Sequence, residues 1–232
     1  EGREIFSDIR KFLRYLLASN AGEVLVMFVG VLGAGALGLV DAIGADTGAG
    51  ALSVPLLATQ ILWINLVTDS ALALALGVDP AVTDVMDKPP RGIHDRIIDR
   101  SMVTTIALIG ATTAIVGLIA LDLELPGGLL GGSGTVESAR TMVFTTVVLA
   151  QIFNAFNARS DTVSAFVRPF DNRLLWAAAG FTLVLQVAVV HAPPLQRAFD
   201  TDGLDIAQWA TCAALSSAVL WVDEIRKLLH GR

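Results

Sequence analysis

The chain has 232 residues, 54% of them hydrophobic and 16% charged, with a mean hydropathy of +0.66 and a net charge of −6. A composition this apolar excludes an ordinary water-soluble domain, and the acidic balance, with Lys and Arg scattered rather than clustered among aromatics, excludes nucleic-acid binding. The single cysteine, Cys212, excludes an internal disulfide and a zinc knuckle.

The opening segment, EGREIFSDIRKFLRYL, mixes charge with apolar residues and lacks the unbroken apolar core of a secretory signal. Because it opens on Glu1 rather than Met, the chain is read as continuing upstream in a longer parent. Ile5, Phe6, Ile9, Phe12, Leu13 and Leu16 recur at helical spacing, with Arg3, Arg10, Lys11 and Arg14 on much of the remaining surface. This predicts a stalk that begins before the membrane and, unbroken from Glu4 to Val40, would be roughly 55 Å long. A helix lying on the membrane surface is the alternative, and it would break near Ser19.

Six stretches free or nearly free of charge follow, at about residues 21–41, 53–77, 101–121, 139–158, 173–192 and 206–222. Each approaches the roughly 17 to 25 residues a helix needs to cross about 30 Å of hydrocarbon. Only helices and closed barrels satisfy their backbone in lipid, and these stretches are too long and evenly apolar for barrel strands. The expected fold is therefore all-α, a polytopic membrane protein whose six transmembrane helices form one domain over residues 1–232. With both termini cytosolic, 14 of the 16 Lys and Arg lie inside, leaving only Arg140 and Arg197 outside. The outer segments, 41–53, 122–140 and 193–205, are rich in Gly, Pro and Asp and read as turns, with one longer, mobile loop at 127–134. No internal repeat is evident, so an inverted-repeat transporter has no support.

Of the 22 acidic residues only Glu23 and Asp69 fall inside or at the edge of a span, at an insertion cost of roughly 2.5 to 3.5 kcal/mol each if unpaired. Asn20 lies one turn from Glu23, and Asn65, Thr68 and Asp69 share a face of the second span. Gln151, Asn154 and Asn157 form a polar stripe on the fourth. Carboxylate, amide and hydroxyl oxygens without Lys, Arg, His or Cys at this depth suit a hard cation: Ca²⁺, Mn²⁺ or a proton-linked site. Interhelical hydrogen bonding is the competing reading, strongest for Asn154 and Asn157.

SNAGEV at 19–24, QILWINLVTDSALALALGVDP at 60–80 and VMDKPPR at 85–91 together resemble the membrane region of the type II P-type ATPases, the calcium-pump family. WINLVTD resembles that family's sixth membrane helix, and LDIAQWATCAALSSAVLWVDEIRKLL its tenth helix and tail. The resemblance implies that these spans are the last six of ten, that the transported ion is Ca²⁺ or Mn²⁺, and that the ligands are Asn20, Glu23, Asn65, Thr68 and Asp69. Gln151 stands where sarco/endoplasmic reticulum pumps have a glutamate, which implies one ion rather than two. The first four membrane helices and the phosphorylation, nucleotide-binding and actuator domains would belong to the full-length parent, the only place where ATP and Mg²⁺ act. VMDKPPR, stiffened by two prolines, would be a rigid contact surface for those domains. The expected location is the lipid bilayer, as a multi-pass protein of the cell membrane. The alternatives are a stand-alone truncated protein acting as a passive cation pathway, or a structural helical bundle.

Overall fold

The computed structural model describes residues 2–35, 54–79, 97–125 and 128–230. The expectations placed on 41–53, on VMDKPPR, on Lys88, Arg91 and Arg96, and on residue 127 lie outside the described residues.

The described residues are organised as helices: α1 (Gly2–Leu32), α2 (Ala58–Leu76), α3 (Arg100–Glu124), α4 (Val136–Asn157), α5 (Arg173–His191), a short α6 (Pro193–Phe199) and α7 (Ile206–His230). Among the described residues, α1 from Ile5 onward, α2, α3, α4 and α5 are each long and apolar enough to cross a membrane. The all-α polytopic architecture is therefore as expected. α7 matches α3 at 25 residues, but Gln208, Thr211, Ser216 and Ser217 dilute its apolar content and it falls short of the same standard.

α1 runs unbroken through Ser19, so the stalk prevails over the surface helix. It ends at Leu32, eight residues before the expected Val40, where Gly30, Gly33 and Gly35 lower helix propensity. Its length is roughly 46 Å at about 1.5 Å per residue. α4 lies at the centre, touching α1, α3, α5 and α7, and its Val143, Phe144, Val147 and Val148 are fully buried with Val26 and Leu121. It starts on a reciprocal cap: Ser138 N–H donates to Thr135 Oγ1 (3.0 Å) and Thr135 N–H to Ser138 Oγ (2.9 Å).

α1 and α3 approach closely through two glycines beside Glu23. A Cβ at Gly110 would lie 3.0 Å from Ala21 Cβ, and one at Gly22 would lie 2.9 Å from Thr113 Cβ and Cγ2. Small residues permit such contact in bundles. Gly22→Val should accordingly destabilise the bundle by about 1 to 3 kcal/mol, as overpacking does, and push Glu23 away from its partners. Thermal unfolding in detergent checks this, and an unchanged midpoint would refute the close-packing account.

Two outer segments differ from expectation. Residues 193–205 contain a helix rather than only a turn, because Pro193 and Pro194 occupy its first positions, where a missing N–H costs nothing. Asp200, at φ 50° in the left-handed region, ends it. Trp63 and Phe199 meet edge to face at 4.9 Å, and Gln60 Nε2 donates to Phe199 O at 3.1 Å, tying α6 to α2. The loop expected to be mobile is, over 128–134, tied down. The buried Asp122 accepts from Leu129 N–H and Leu130 N–H, both at 2.7 Å, and Gly134 N–H donates to Glu124 O at 2.9 Å. A Cβ at Gly132 would overlap the backbone of Glu124.

At the opposite end, three stalk cations each hold a different element. Arg10 Nη2 donates to Asp99 Oδ2 (2.9 Å) at the start of α3, Lys11 Nζ to Asp79 Oδ2 (2.9 Å) just past α2, and Arg14 Nη1 to Asp161 after α4. Asp99 also caps α3 through Met102 N–H at 2.8 Å. Its carboxyl sits below its ordinary range, chiefly because of that N–H and, against some opposing burial, because of Arg10. Asp79 is the deepest knot. Its Oδ1 accepts from Arg159 Nε (3.0 Å) and Asn172 Nδ2 (2.8 Å), and its side chain is fully buried. Asn172 in turn accepts from Leu175 N–H at 2.8 Å, capping α5.

Candidate functional site

The site begins with a local irregularity in α2. From Ile64 to Thr68 the helix widens to a π turn, closed by Asp69 N–H donating to Ile64 O. The wider turn carries Thr68 and Asp69 round relative to a regular α-helix, and such turns recur at functional positions. Thr68 and Asp69 are buried and Asn65 half-buried, while Leu62 and Leu66 point outward.

Glu23, buried on α1, is held from two sides. Asn65 Nδ2 donates to its Oε2 and Gln151 Nε2 to its Oε1, each at 2.7 Å, so one carboxylate joins α1, α2 and α4. Asp69 is held back to α1, where the Tyr15 hydroxyl donates to its Oδ1 at 2.9 Å. α1 and α2 are thus linked reciprocally, each offering a carboxylate to the other's donor.

Three buried oxygens here have no hydrogen-bond partner: Thr68 Oγ1, Asp69 Oδ2 and Gln151 Oε1. An unsatisfied buried oxygen is uncommon and needs an explanation. All three belong to residues that the resemblance marks as ligands, or as the position of one, and all are hard donors of the type Ca²⁺ takes. Among the described residues no three His, Cys, Asp or Glu side chains converge. The arrangement therefore combines two carboxylates with amide and hydroxyl oxygens.

The structure joins five of the six sequence-derived positions, Glu23, Asn65, Thr68, Asp69 and Gln151, either by hydrogen bonds or as neighbours on the π turn. Asn20 stands apart: half-buried, it gives its amide to Leu16 O of its own helix at 2.8 Å. Asn154 and Asn157 bond between helices, Asn154 to Ser19 Oγ (3.2 Å) and Tyr15 O (3.4 Å) on α1, Asn157 to Val219 O (3.0 Å) on α7. Sequence reasoning missed Tyr15. The one signal available was its place two helical turns before Glu23, in a run otherwise read only as a stalk.

The family model for the C-terminus of cation transporting ATPases matches residues 53–229. The chain is 38% identical over 222 residues to a calcium-transporting ATPase of Bacillus subtilis, covering 94% of this chain and 22% of the relative. It is 35% identical over 234 residues to calcium-transporting ATPase 1 of Schizosaccharomyces pombe, covering 100% of this chain and 24% of that protein. With the mouse calcium-transporting ATPase type 2C member 2 the identity is 31% over 229 residues, 98% of this chain and 22% of the relative. The chain thus spans less than a quarter of the length of these curated relatives. With the match covering most of the chain and a helical bundle built around buried oxygens, the chain belongs to the cation-transporting ATPase family, as a P-type ATPase C-terminal membrane region.

Proposed function

We propose that this chain supplies the intramembrane ligands of an ATP-driven pump that exports one Ca²⁺ per cycle across the cell membrane. The observation that carries the reading is the set of buried, unpartnered oxygens Thr68 Oγ1, Asp69 Oδ2 and Gln151 Oε1 beside the Glu23 carboxylate. Each amide in the site has an oxygen as well as an NH₂ group, so Asn65, Gln151 and, one turn away, Asn20 can turn from donor to ligand when a cation arrives. Two carboxylates balance one divalent charge. A second ion would need further anionic ligands, and Gln151 contributes oxygen without charge. The names of the relatives favour Ca²⁺ over Mn²⁺.

ATP hydrolysis falls to phosphorylation, nucleotide-binding and actuator domains outside this chain, with Mg²⁺, and the first four membrane helices complete the pathway. α7 is the sixth crossing, and both ends of the chain face the cytosol. Equilibrium binding of labelled Ca²⁺ to the full-length protein, normalised to phosphorylatable sites, tests the reading. One ion per site, displaced weakly by Mn²⁺, is expected; two ions per site would overturn the stoichiometry, and no saturable binding would leave a passive pathway or scaffold. The topology has its own check by cysteine labelling in right-side-out vesicles. Gly131→Cys should react from outside and Gly92→Cys should not; the reverse pattern would invert the assignment.

A further inference from the structure

The last turns of α7 are inside out. Beyond Val222, where the span was expected to end, Asp223, Glu224, Arg226 and Lys227 are only 1, 8, 8 and 4% exposed, whereas Trp221, Ile225, Leu228 and Leu229 are 55, 56, 74 and 73% exposed. A helix end surrounded by water shows the opposite pattern, with apolar residues facing the protein. The buried charges satisfy one another and the neighbouring loop. Arg226 Nε donates to Asp223 Oδ1 (2.8 Å), Lys227 Nζ donates to Asn157 O (3.2 Å), and Glu224 Oε1 accepts from Ala165 N–H (2.8 Å). Nothing of this network requires the apolar side chains to point outward.

The loop between α4 and α5 extends the same surface. Phe166 and Phe170 are 57 and 72% exposed, on either side of Arg168, which turns the chain at φ 53°. Phe166 lies 5.9 Å from the Trp221 ring, and Phe170 stacks on Trp176 at 5.4 Å. Trp176 opens the outward face of α5, which continues through the exposed Phe181 and Val184. The apolar rim is therefore continuous with a face that a membrane helix turns to lipid. Trp at the end of such a face, with Arg168 and Arg173 exposed beside it, has the composition of a membrane–water interface.

We propose that this rim, formed by loop 158–172 and the last two turns of α7, sits in the cytosolic headgroup layer of the bilayer and selects anionic phospholipid. Phe166, Phe170, Ile225 and Leu228 enter the acyl boundary, and Arg168 and Arg173 meet headgroup phosphates. Asp171, which pairs with Arg168 Nε at 2.9 Å, leaves the other guanidinium nitrogens of that arginine to the lipid. Charge complementarity commits the occupant to a lipid rather than to another protein, since among the described residues the outward side chains of the α7 end are apolar, the two arginines flank them, and the loop's exposed Asp161 is already paired with Arg10 and Arg14. The assignment rests on α7 being the sixth crossing, but its test is separate from cation binding.

The test uses nitroxides at Phe166→Cys, Phe170→Cys, Ile225→Cys and Leu228→Cys in the full-length protein, reconstituted in vesicles of phosphatidylcholine with or without phosphatidylglycerol. Val184→Cys serves as the lipid-facing reference and Leu129→Cys as the aqueous one. Oxygen should relax the four rim labels more than a water-soluble nickel chelate does, as at Val184. Dominant relaxation by the nickel chelate, as at Leu129, would overturn the proposal, and so would protection from both reagents, which would mean that protein covers the rim. Arg168→Gln and Arg173→Gln should each reduce the preference for spin-labelled phosphatidylglycerol over phosphatidylcholine by about fivefold. An unchanged preference would overturn the anionic selection. Because Ca²⁺ binding is measured on the same preparations, loss of the pump reading and loss of the lipid reading are distinguishable.

Discussion

Asp69→Asn should abolish cation transport by the full-length protein and lower equilibrium affinity on the order of a thousandfold, because it removes one of two charges that neutralise a divalent ion in a medium of low dielectric. The replacement is nearly isosteric. An asparagine oxygen still accepts from the Tyr15 hydroxyl that now bonds Asp69 Oδ1 at 2.9 Å, so the joint between α1 and α2 should survive and the unfolding temperature should change little. Loss of transport with intact stability would separate an ion ligand from a structural carboxylate. Gln151→Ala offers the comparison. It removes one hydrogen bond to Glu23 and one neutral oxygen, so affinity should fall by about tenfold, the equivalent of about 1.5 kcal/mol. Wild-type flux in Asp69→Asn vesicles would dismiss the proposed site.

The second large effect is expected at Asp79, remote from any ligand. Removing this fully buried carboxylate strands the nearly enclosed Arg159, takes from Lys11 its closer and more buried carboxylate partner, leaving it Asp8 at 3.2 Å, and leaves Asn172 without one of its acceptors. Breaking one side of a buried pair costs about 3 to 5 kcal/mol, far more than an exposed pair is worth. Asp79→Ala should therefore lower the unfolding midpoint in detergent more than any exposed charge substitution does, with Asp79→Asn in between. The triple change Asp79→Ala, Lys11→Met, Arg159→Met should recover much of the loss, since no buried cation is then left unpaired and the Asp8 carboxylate that loses Lys11 is partly exposed. If Asp79→Ala unfolds at the wild-type temperature, the knot contributes nothing to holding the stalk.

Much of this was legible from residue order alone, for reasons that are one-dimensional. The all-α class, the helical period and the rarity of charge follow from the bilayer acting as solvent, which penalises each unpaired charge wherever the rest of the chain lies. Glu23 and Asp69 stood out for that reason, and Asn65, Thr68 and Asp69 could be placed on one face by spacing. Residue order was less informative at the ends of elements. The stalk stops at Leu32 because glycines weaken it, α6 forms where prolines were read only as a turn, and the loop at 128–134 is fastened by Asp122, a partner whose reach depends on the fold.

Tertiary structure alone decided which polar groups meet. Glu23 and Gln151 are 128 residues apart in sequence, and their 2.7 Å contact exists because α1 and α4 pack side by side. Tyr15 carried no mark of its role until the fold set its hydroxyl against Asp69. The same holds for Asp79, which in the sequence is one aspartate of a loop motif and in the structure is the meeting point of α1, the end of α2 and the loop before α5. Composition and period report how a segment partitions between water and lipid, a property it carries by itself. Pairing of buried charges depends on distances between segments, and these are set only when the helices pack.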